Sequence, residues 1–470
     1  MASRGILSYG AYLPYRRLDR SEIRPVAGTG GGRGQRTVAS YDEDATTMAV
    51  AAARTALAAA PEGAAPRSLW FATVSPPYLD KTNATAVHAA LRLDPAAPAF
   101  DVNGAVRSAV GALDAGLGSA GPALVVAGEV RTGRPGSPDE AAGGDGASAL
   151  LVGSSEDGEL LAEVIGRASA TDEFVDRWRT PGEIASKLWE ERFGEGRYVE
   201  LGAQAWGDAL KAAGLVVDQV DRVLVATSHA RAAATLGKRL GLGDRLAPGL
   251  DATVGFTGAA HPGLLLAAAL DAARPGEVIA LVVLADGADV VLLRTTDALA
   301  SRRPTPSVAD QVAAGAPVAY GTFLAWRGVL PVEPPRRPEP ARPSAAAAGR
   351  SRDWKFGFVG SEAADGTVHL PPSPLDDRRR PMADATGTIV TYTVDRLAYS
   401  PSPPVVFAVV DFDGGGRLPV ELTDVDVEDV AIGGRVEMTF RRLFTADGIH
   451  NYFWKARPVR TAGASTTGGS

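Results

Sequence analysis

Ser68-Leu-Trp-Phe-Ala-Thr-Val74 lies between the alanine-rich run Met48–Ala60 and Asn83–Leu91. Arg222-Val-Leu-Val-Ala-Thr227 lies in the same way between Trp206–Ala213 and Ala230–Leu240. Each apolar run has the length of a buried strand, and each neighbour has helical spacing. The order helix, strand, loop, helix therefore occurs twice, as expected for an internal duplication of an α/β half. Outward from these runs, strands are expected at Gly5–Pro14, Ala99–Val102, Ala123–Val130 and Ala147–Val152, and as the pair Val278–Leu284 and Asp289–Arg294. Helices are expected at Arg107–Leu117, Tyr198–Ala213 and Ala259–Ala273, with the segment Leu250–Gly255 between elements. Strands alternating with helices make a layered α/β fold.

Asp42-Glu43-Asp44 opens the first long helix, and acids there cap free N–H groups and favour the dipole. The glycine-rich stretch Gly28–Gly34 misses the dinucleotide spacing, because Arg33 and Gln35 stand where a glycine is needed, so it is a loop. Residues 331–351 are rich in Pro, Ala and Arg and form an extended linker. Beyond it, short strands at Gly387–Asp395, Val405–Asp411, Arg417–Leu422, Arg435–Phe444 and Tyr452–Arg457 predict a small β-barrel. Residues 459–470 form a Gly/Ser/Thr-rich tail expected to be disordered.

The chain of 470 residues is long enough for two or three domains, and 45% hydrophobic with 22% charged residues is globular composition. A net charge of −7 disfavours nucleic acid as a partner. No stretch approaches the ~18 apolar residues of a membrane span, and the first residues lack a signal-peptide core, so a cytoplasmic protein is expected. Cysteine is absent, at 0 of 470. Thiol nucleophiles, disulfides and thiolate metal sites are thereby excluded.

Tyr41-Asp-Glu-Asp-Ala-Thr-Thr-Met-Ala-Val50, Ser75-Pro-Pro-Tyr-Leu-Asp-Lys81, Thr257-Gly-Ala-Ala260 and Ala272-Ala-Arg-Pro-Gly276 together resemble the hydroxymethylglutaryl-CoA synthases and their type III ketosynthase relatives. The resemblance covers about residues 4–330. It implies a duplicated thiolase-like α/β core, five-layered, with halves of about 1–155 and 156–330. It also implies acyl-CoA or acyl-carrier-protein substrates, no separate cofactor, and a homodimer or a complex with a thiolase-type partner. Asp365-Gly-Thr-Val-His-Leu-Pro-Pro372 and Thr445-Ala-Asp-Gly-Ile-His-Asn-Tyr452 resemble the acyl-CoA-associated family that joins a zinc ribbon to an OB fold, giving an OB-type barrel over 352–458.

The departures fall where that family does its chemistry. Val106 stands at the cysteine position, Val74 at that of the acid/base glutamate, and Phe256 at that of the asparagine in a Gly-Asn-Thr turn. Ser108, further along the same helix, is the available hydroxyl, for attack or for capping. His229, after a buried strand, matches the catalytic histidine. It is either a site group or a relic solvated in its loop. His261 opens a helix beside Phe256-Thr257-Gly258, near the pocket or as a cap. Tyr78 and Asp80, with Lys81, border the pocket as a phenol–carboxylate pair or simply pack the loop, and His88 is a mid-helix packing residue. The ribbon's ligand pairs fall near Glu362/Asp365 and Asp376/Arg379, which do not make a zinc site. Asp411-x-Asp413-Gly414 has a fragment of calcium-loop spacing and is taken as a turn. Two functions follow: a cysteine-independent acyl-thioester enzyme performing acyl transfer or aldol/Claisen-type chemistry, or a catalytically silent scaffold for a competent partner.

Overall fold

The computed structural model describes residues 2–460. The tail expected beyond Arg460 lies outside them. Nine strands form one sheet: β1 Arg4–Tyr12, β2 Ser68–Thr73, β3 Ala99–Asn103, β4 Ala123–Glu129, β5 Gly146–Ser154, β6 Ala162–Ala170, β7 Arg222–Ala226, β8 Val278–Leu284 and β9 Ala288–Thr295. Their order is β7-β8-β9-β6-β1-β5-β4-β2-β3. From the centre outward the two halves run β1-β5-β4-β2-β3 and β6-β9-β8-β7. In both, the innermost pairs are antiparallel and the outer ones parallel. The duplication seen in the element order is therefore a duplication of topology.

Strand side chains alternate between faces, and the alternation sorts them into layers. Leu69, Phe71, Leu124 and Val126 turn to the helix α1, Ala45–Ala58. Val125, Ala127, Leu224, Ile279 and Leu281 turn inward to α2, Ser108–Leu117, and to an apolar helix opened by His261. Val223, Ala280 and Val282 turn to α3, Glu191–Ala213. The inner helix is α5, His261–Ala272, and between it and α3 in the chain lies α4, Ala230–Arg239. Helix, one half of the sheet, helices, the other half of the sheet and helix make five layers.

The C-terminal part begins with a three-stranded ribbon, β10 Val359–Glu362, β11 Val368–His369 and β12 Arg378–Pro381. The barrel follows: β13 Thr386–Asp395, β14 Val405–Phe412, β15 Arg417–Glu421, β16 Arg435–Ala446 and β17 Ile449–Pro458. Its order is β15-β14-β13-β16-β17, and a parallel bridge between Leu422 and Ala456 draws the two edges together. The five short strands read from the sequence are these, with ends moved by up to three residues.

Three readings need adjustment. The strand β6 was not expected. Ala345–Arg350 in the linker is a short helix. Of the three acids at Asp42–Asp44, only Asp44 caps α1, in a capping box with Thr47. Asp42 and Glu43 instead meet the barrel. Lys455 Nζ is 3.0 Å from Asp42 and 2.7 Å from Glu421. Arg441 lies 2.5 Å from Glu43 and 2.7 Å from Asp424, and donates to the Tyr12 hydroxyl at 2.9 Å. Tyr452 donates to Asp44 at 2.8 Å, and Thr423 to Asp42 at 2.9 Å. Burial opposes ionisation of Asp42, yet Lys455 and Arg441 hold its carboxyl below the ordinary range. Core and barrel are thus joined by a buried, charge-complementary seam.

Candidate active site

The carboxyl ends of β2 and β4 meet the start of α2 and the turn Gly258–Ala260, where an α/β sheet exposes its ends for chemistry. Val74 and Val106 are half-buried here and Phe256 is buried. Behind them, between α2 and α5, is an apolar cavity of about 30 Å³ lined by Ala109, Val110, Ala127, Ala259 and Leu266. Such a volume holds about one water-sized group.

The five residues expected to act are dispersed. His229 caps α4: its Nδ1 accepts from the Ala232 N–H at 3.2 Å, so its proton is on Nε2, 2.9 Å from the Glu191 carbonyl. Both ring nitrogens are therefore engaged by main chain. His261 is buried against Phe256, with ring centroids 4.8 Å apart and its Nδ1 3.3 Å from Thr257 Oγ1. Burial pushes its imidazole down to about 4, so it is neutral at pH 7. Tyr78 faces the barrel, where its hydroxyl accepts from the His450 N–H at 2.7 Å. Asp80 is exposed, and Lys81 reaches Thr82 and Thr85. Ser108 accepts from the Ala105 N–H at 3.3 Å, a bond within its own turn. None of these hydrogen bonds joins two of the five.

Two residues that the sequence reading passed over occupy the site instead. Glu129 ends β4 and is fully buried. Its Oε2 accepts from the N–H of Val74 at 3.1 Å and of Ala259 at 3.2 Å. Its Oε1 has no partner among the described residues. Burial raises its carboxyl above the ordinary glutamate range, against the pull of Arg131 and Ser75. Gly258 makes this approach possible: its φ is +53°, and a Cβ there would stand 2.6 Å from Glu129 Oε2. Arg131 is 8% exposed, and its guanidinium lies 5.9 Å from the Phe256 ring centroid. An acid at the carboxyl end of a buried strand was the legible signal for Glu129. Its place inside an apolar run masked it.

The ribbon's side chains do not fit a zinc ion. Asp376 accepts from Ser361 at 2.6 Å and pairs with His369 Nδ1 at 2.6 Å, while Glu362 faces Arg378 at 2.8 Å. No group of three or more His, Cys, Asp or Glu residues with metal-holding geometry occurs among the described residues. Asp411 and Asp413 are paired with Arg417 and Arg435. No described helix is long and apolar enough to cross a membrane.

Comparison with known proteins agrees with this architecture. Residues 379–441 match the family model described as ChsH2, C-terminal OB-fold domain. The hydroxymethylglutaryl-CoA synthase of Thermococcus sibiricus is 30% identical over 338 residues, covering 69% of this chain and 96% of that protein. The synthase of Thermococcus gammatolerans is 29% identical over 337 residues, covering 69% and 95%. Among solved structures, MvaS in complex with 3-hydroxy-3-methylglutaryl coenzyme A superposes with a TM-score of 0.61 at 20% identity, covering 73% of this chain and 95% of that one. The 3-oxoacyl-(acyl carrier protein) synthase III of Pseudomonas aeruginosa gives 0.56 at 23%, covering 63% and 99%. With its doubled five-layer core and a relative matched over nearly its whole length, the chain belongs to the hydroxymethylglutaryl-CoA synthase family and carries a C-terminal OB-fold domain.

Proposed function

We propose that the protein binds an acyl thioester and performs proton transfer on it, in aldol- or Claisen-type carbon–carbon chemistry, without a covalent acyl-enzyme. The observation that carries this is Glu129: a buried carboxyl with one free oxygen, set between the Val74 and Ala259 N–H groups. A carboxyl that burial makes hold its proton more tightly is suited to general acid–base work. Val106 cannot hold an acyl group, so the thioester carbonyl is to be polarised in place. His261, neutral and stacked beside Phe256, is one donor on this side of the site. Coenzyme A or a carrier protein is the expected acyl carrier, and no further cofactor is invoked. Turnover of acyl-CoA candidates by the wild type and by Glu129→Gln tests the reading. A loss of about 10²–10⁴ in kcat with thioester binding retained is expected. Equal rates in both would remove Glu129 from the mechanism.

A second reading is favoured by His229, whose ring nitrogens are both taken by main-chain partners. On that reading the chain is a silent subunit of a competent thiolase-type enzyme. Binding of acyl-CoA without turnover in the wild type alone, and turnover only when such an enzyme is added, is its expected signature. In either case a homodimer through the exposed edge of β3, where Phe100 is half exposed against Trp70, fits the fold.

A further inference from the structure

The barrel reaches the loop that borders the candidate site. Its last hairpin, β16 with β17, closes on Asp447-Gly448, with Ala446 paired to Ile449. Both turn residues have positive φ, +50° and +72°, as a two-residue I′ turn requires. The register of the hairpin is thereby fixed, and His450 stands next to its tip. Thr445 Oγ1 holds the His450 Nδ1 at 2.8 Å. Two contacts seat His450 on the loop 75–81. Its ring lies 4.9 Å from the Tyr78 ring, and its N–H donates to the Tyr78 hydroxyl at 2.7 Å. The hairpin is itself tied to the core: Arg442 donates to the Tyr41 carbonyl at 2.7 Å, and Tyr452 to Asp44 at 2.8 Å.

Glu129 is held at the opening of the same loop. The Val74 N–H donates to Glu129 Oε2, and Arg179 donates to the Val74 carbonyl. Ser75 Oγ accepts from the Val130 N–H at 2.9 Å, and the Ser75 N–H donates to Thr73 Oγ1 at 3.0 Å. Between Ser75 and Tyr78 stand only Pro76 and Pro77. A proline fixes its own φ and restricts the residue before it, so this link is stiff. Asn83 pins Tyr78 from the far side, accepting from its N–H at 3.1 Å and donating to its carbonyl at 2.9 Å. Asp101 holds Asn83 in turn, at 2.8 Å. A displacement of Tyr78 is therefore carried to Ser75 and Val74 rather than absorbed between them. We propose that the barrel is part of the site's machinery: His450 and Tyr78 are positioning residues that hold the Val74 N–H against Glu129 and keep water from its carboxyl. This rests on the acyl-thioester reading above for what Glu129 does, and names what sets its geometry.

The test reads Glu129 directly. Its carboxyl is titrated in the full chain by infrared difference spectroscopy, and Glu129→Gln identifies its band. Burial is the largest influence on this carboxyl, so water admitted by a slackened loop lowers its midpoint towards the ordinary glutamate range. That fall is expected in Tyr78→Ala, which removes both the stack and the hydroxyl. Tyr78→Phe keeps the ring and should show a smaller fall, and His450→Ala, which keeps only the N–H, should show one too. Should Tyr78→Ala not fold, His450→Ala decides by the same criterion. Arg54→Ala is the comparison. Arg54 ties the later turns of α1 to the same barrel, donating to the Met438 carbonyl at 2.8 Å and to that of Ala383 at 2.6 Å. Its loss should leave the Glu129 midpoint at the wild-type value. A wild-type midpoint in Tyr78→Ala, or an equal fall in Arg54→Ala, overturns the proposal and leaves the acyl-thioester reading standing. Acyl-CoA candidates are then offered to the same proteins. No turnover by the wild type, with the midpoints moved as expected, overturns that reading and leaves the positioning role.

Discussion

Glu129 and Arg131 are buried ionisable side chains of the candidate site, and burial sets the pH behaviour of Glu129. Burial raises the Glu129 carboxyl, so the folded chain holds its proton to a higher pH than the unfolded chain does. Between the ordinary glutamate range and the raised native value the folded state binds more protons, and stability falls as pH rises through that window. Glu129→Gln keeps an acceptor for the Val74 and Ala259 N–H groups and removes the charge. It should melt higher than wild type at neutral pH and match it in acid, which thermal melts from about pH 4 to 8 would check. Identical melting at both ends would contradict the assigned burial effect. At this scale the sequence was legible where a familiar position had changed type: Val106, Val74 and Phe256 all stand at the site. It was not legible where function depends on hydrogen-bond geometry. His229 sits after its strand as expected, but only coordinates reveal that Ala232 and Glu191 occupy its ring.

Among the elements, hydrophobic period was a reliable guide and charge was not. Runs such as Val278–Leu284 and Arg222–Ala226 declare themselves as buried strands. β6 does not, because Glu163, Gly166 and Arg167 interrupt it and much of it is only half-buried. Asp42 and Glu43 looked like helix-start acids, yet their partners, Arg441 and Lys455, lie some four hundred positions away in sequence, beyond the reach of any local rule. The seam they form yields a prediction. Arg441→Leu leaves Asp42, Glu43 and Asp424 buried with one cation fewer, and should cost about 3–5 kcal/mol in chemical denaturation. Arg435→Leu, which removes an exposed partner from Asp413, should move the midpoint little. Similar losses in both would mean that the seam is no more than surface pairing.

For the molecule as a whole, the seam makes the barrel a fixed part of the core. Residues 331–344 run without regular structure between the two parts. Trypsin should cut after Arg336, and the two fragments should still co-elute on a sizing column at neutral pH and low salt. Separation of the fragments under those conditions would show that covalent linkage alone keeps them together. The doubled topology and the small barrel were legible from element order, whereas their mutual placement was not, since docking is written in long-range pairs. The ribbon beside the barrel adds one consequence. Ser361, His369 and Asp376 clasp one another where a sulfur-bound ion would serve in similar domains. With no sulfhydryl anywhere in the chain, an oxidant such as peroxide finds no thiol to convert in this clasp.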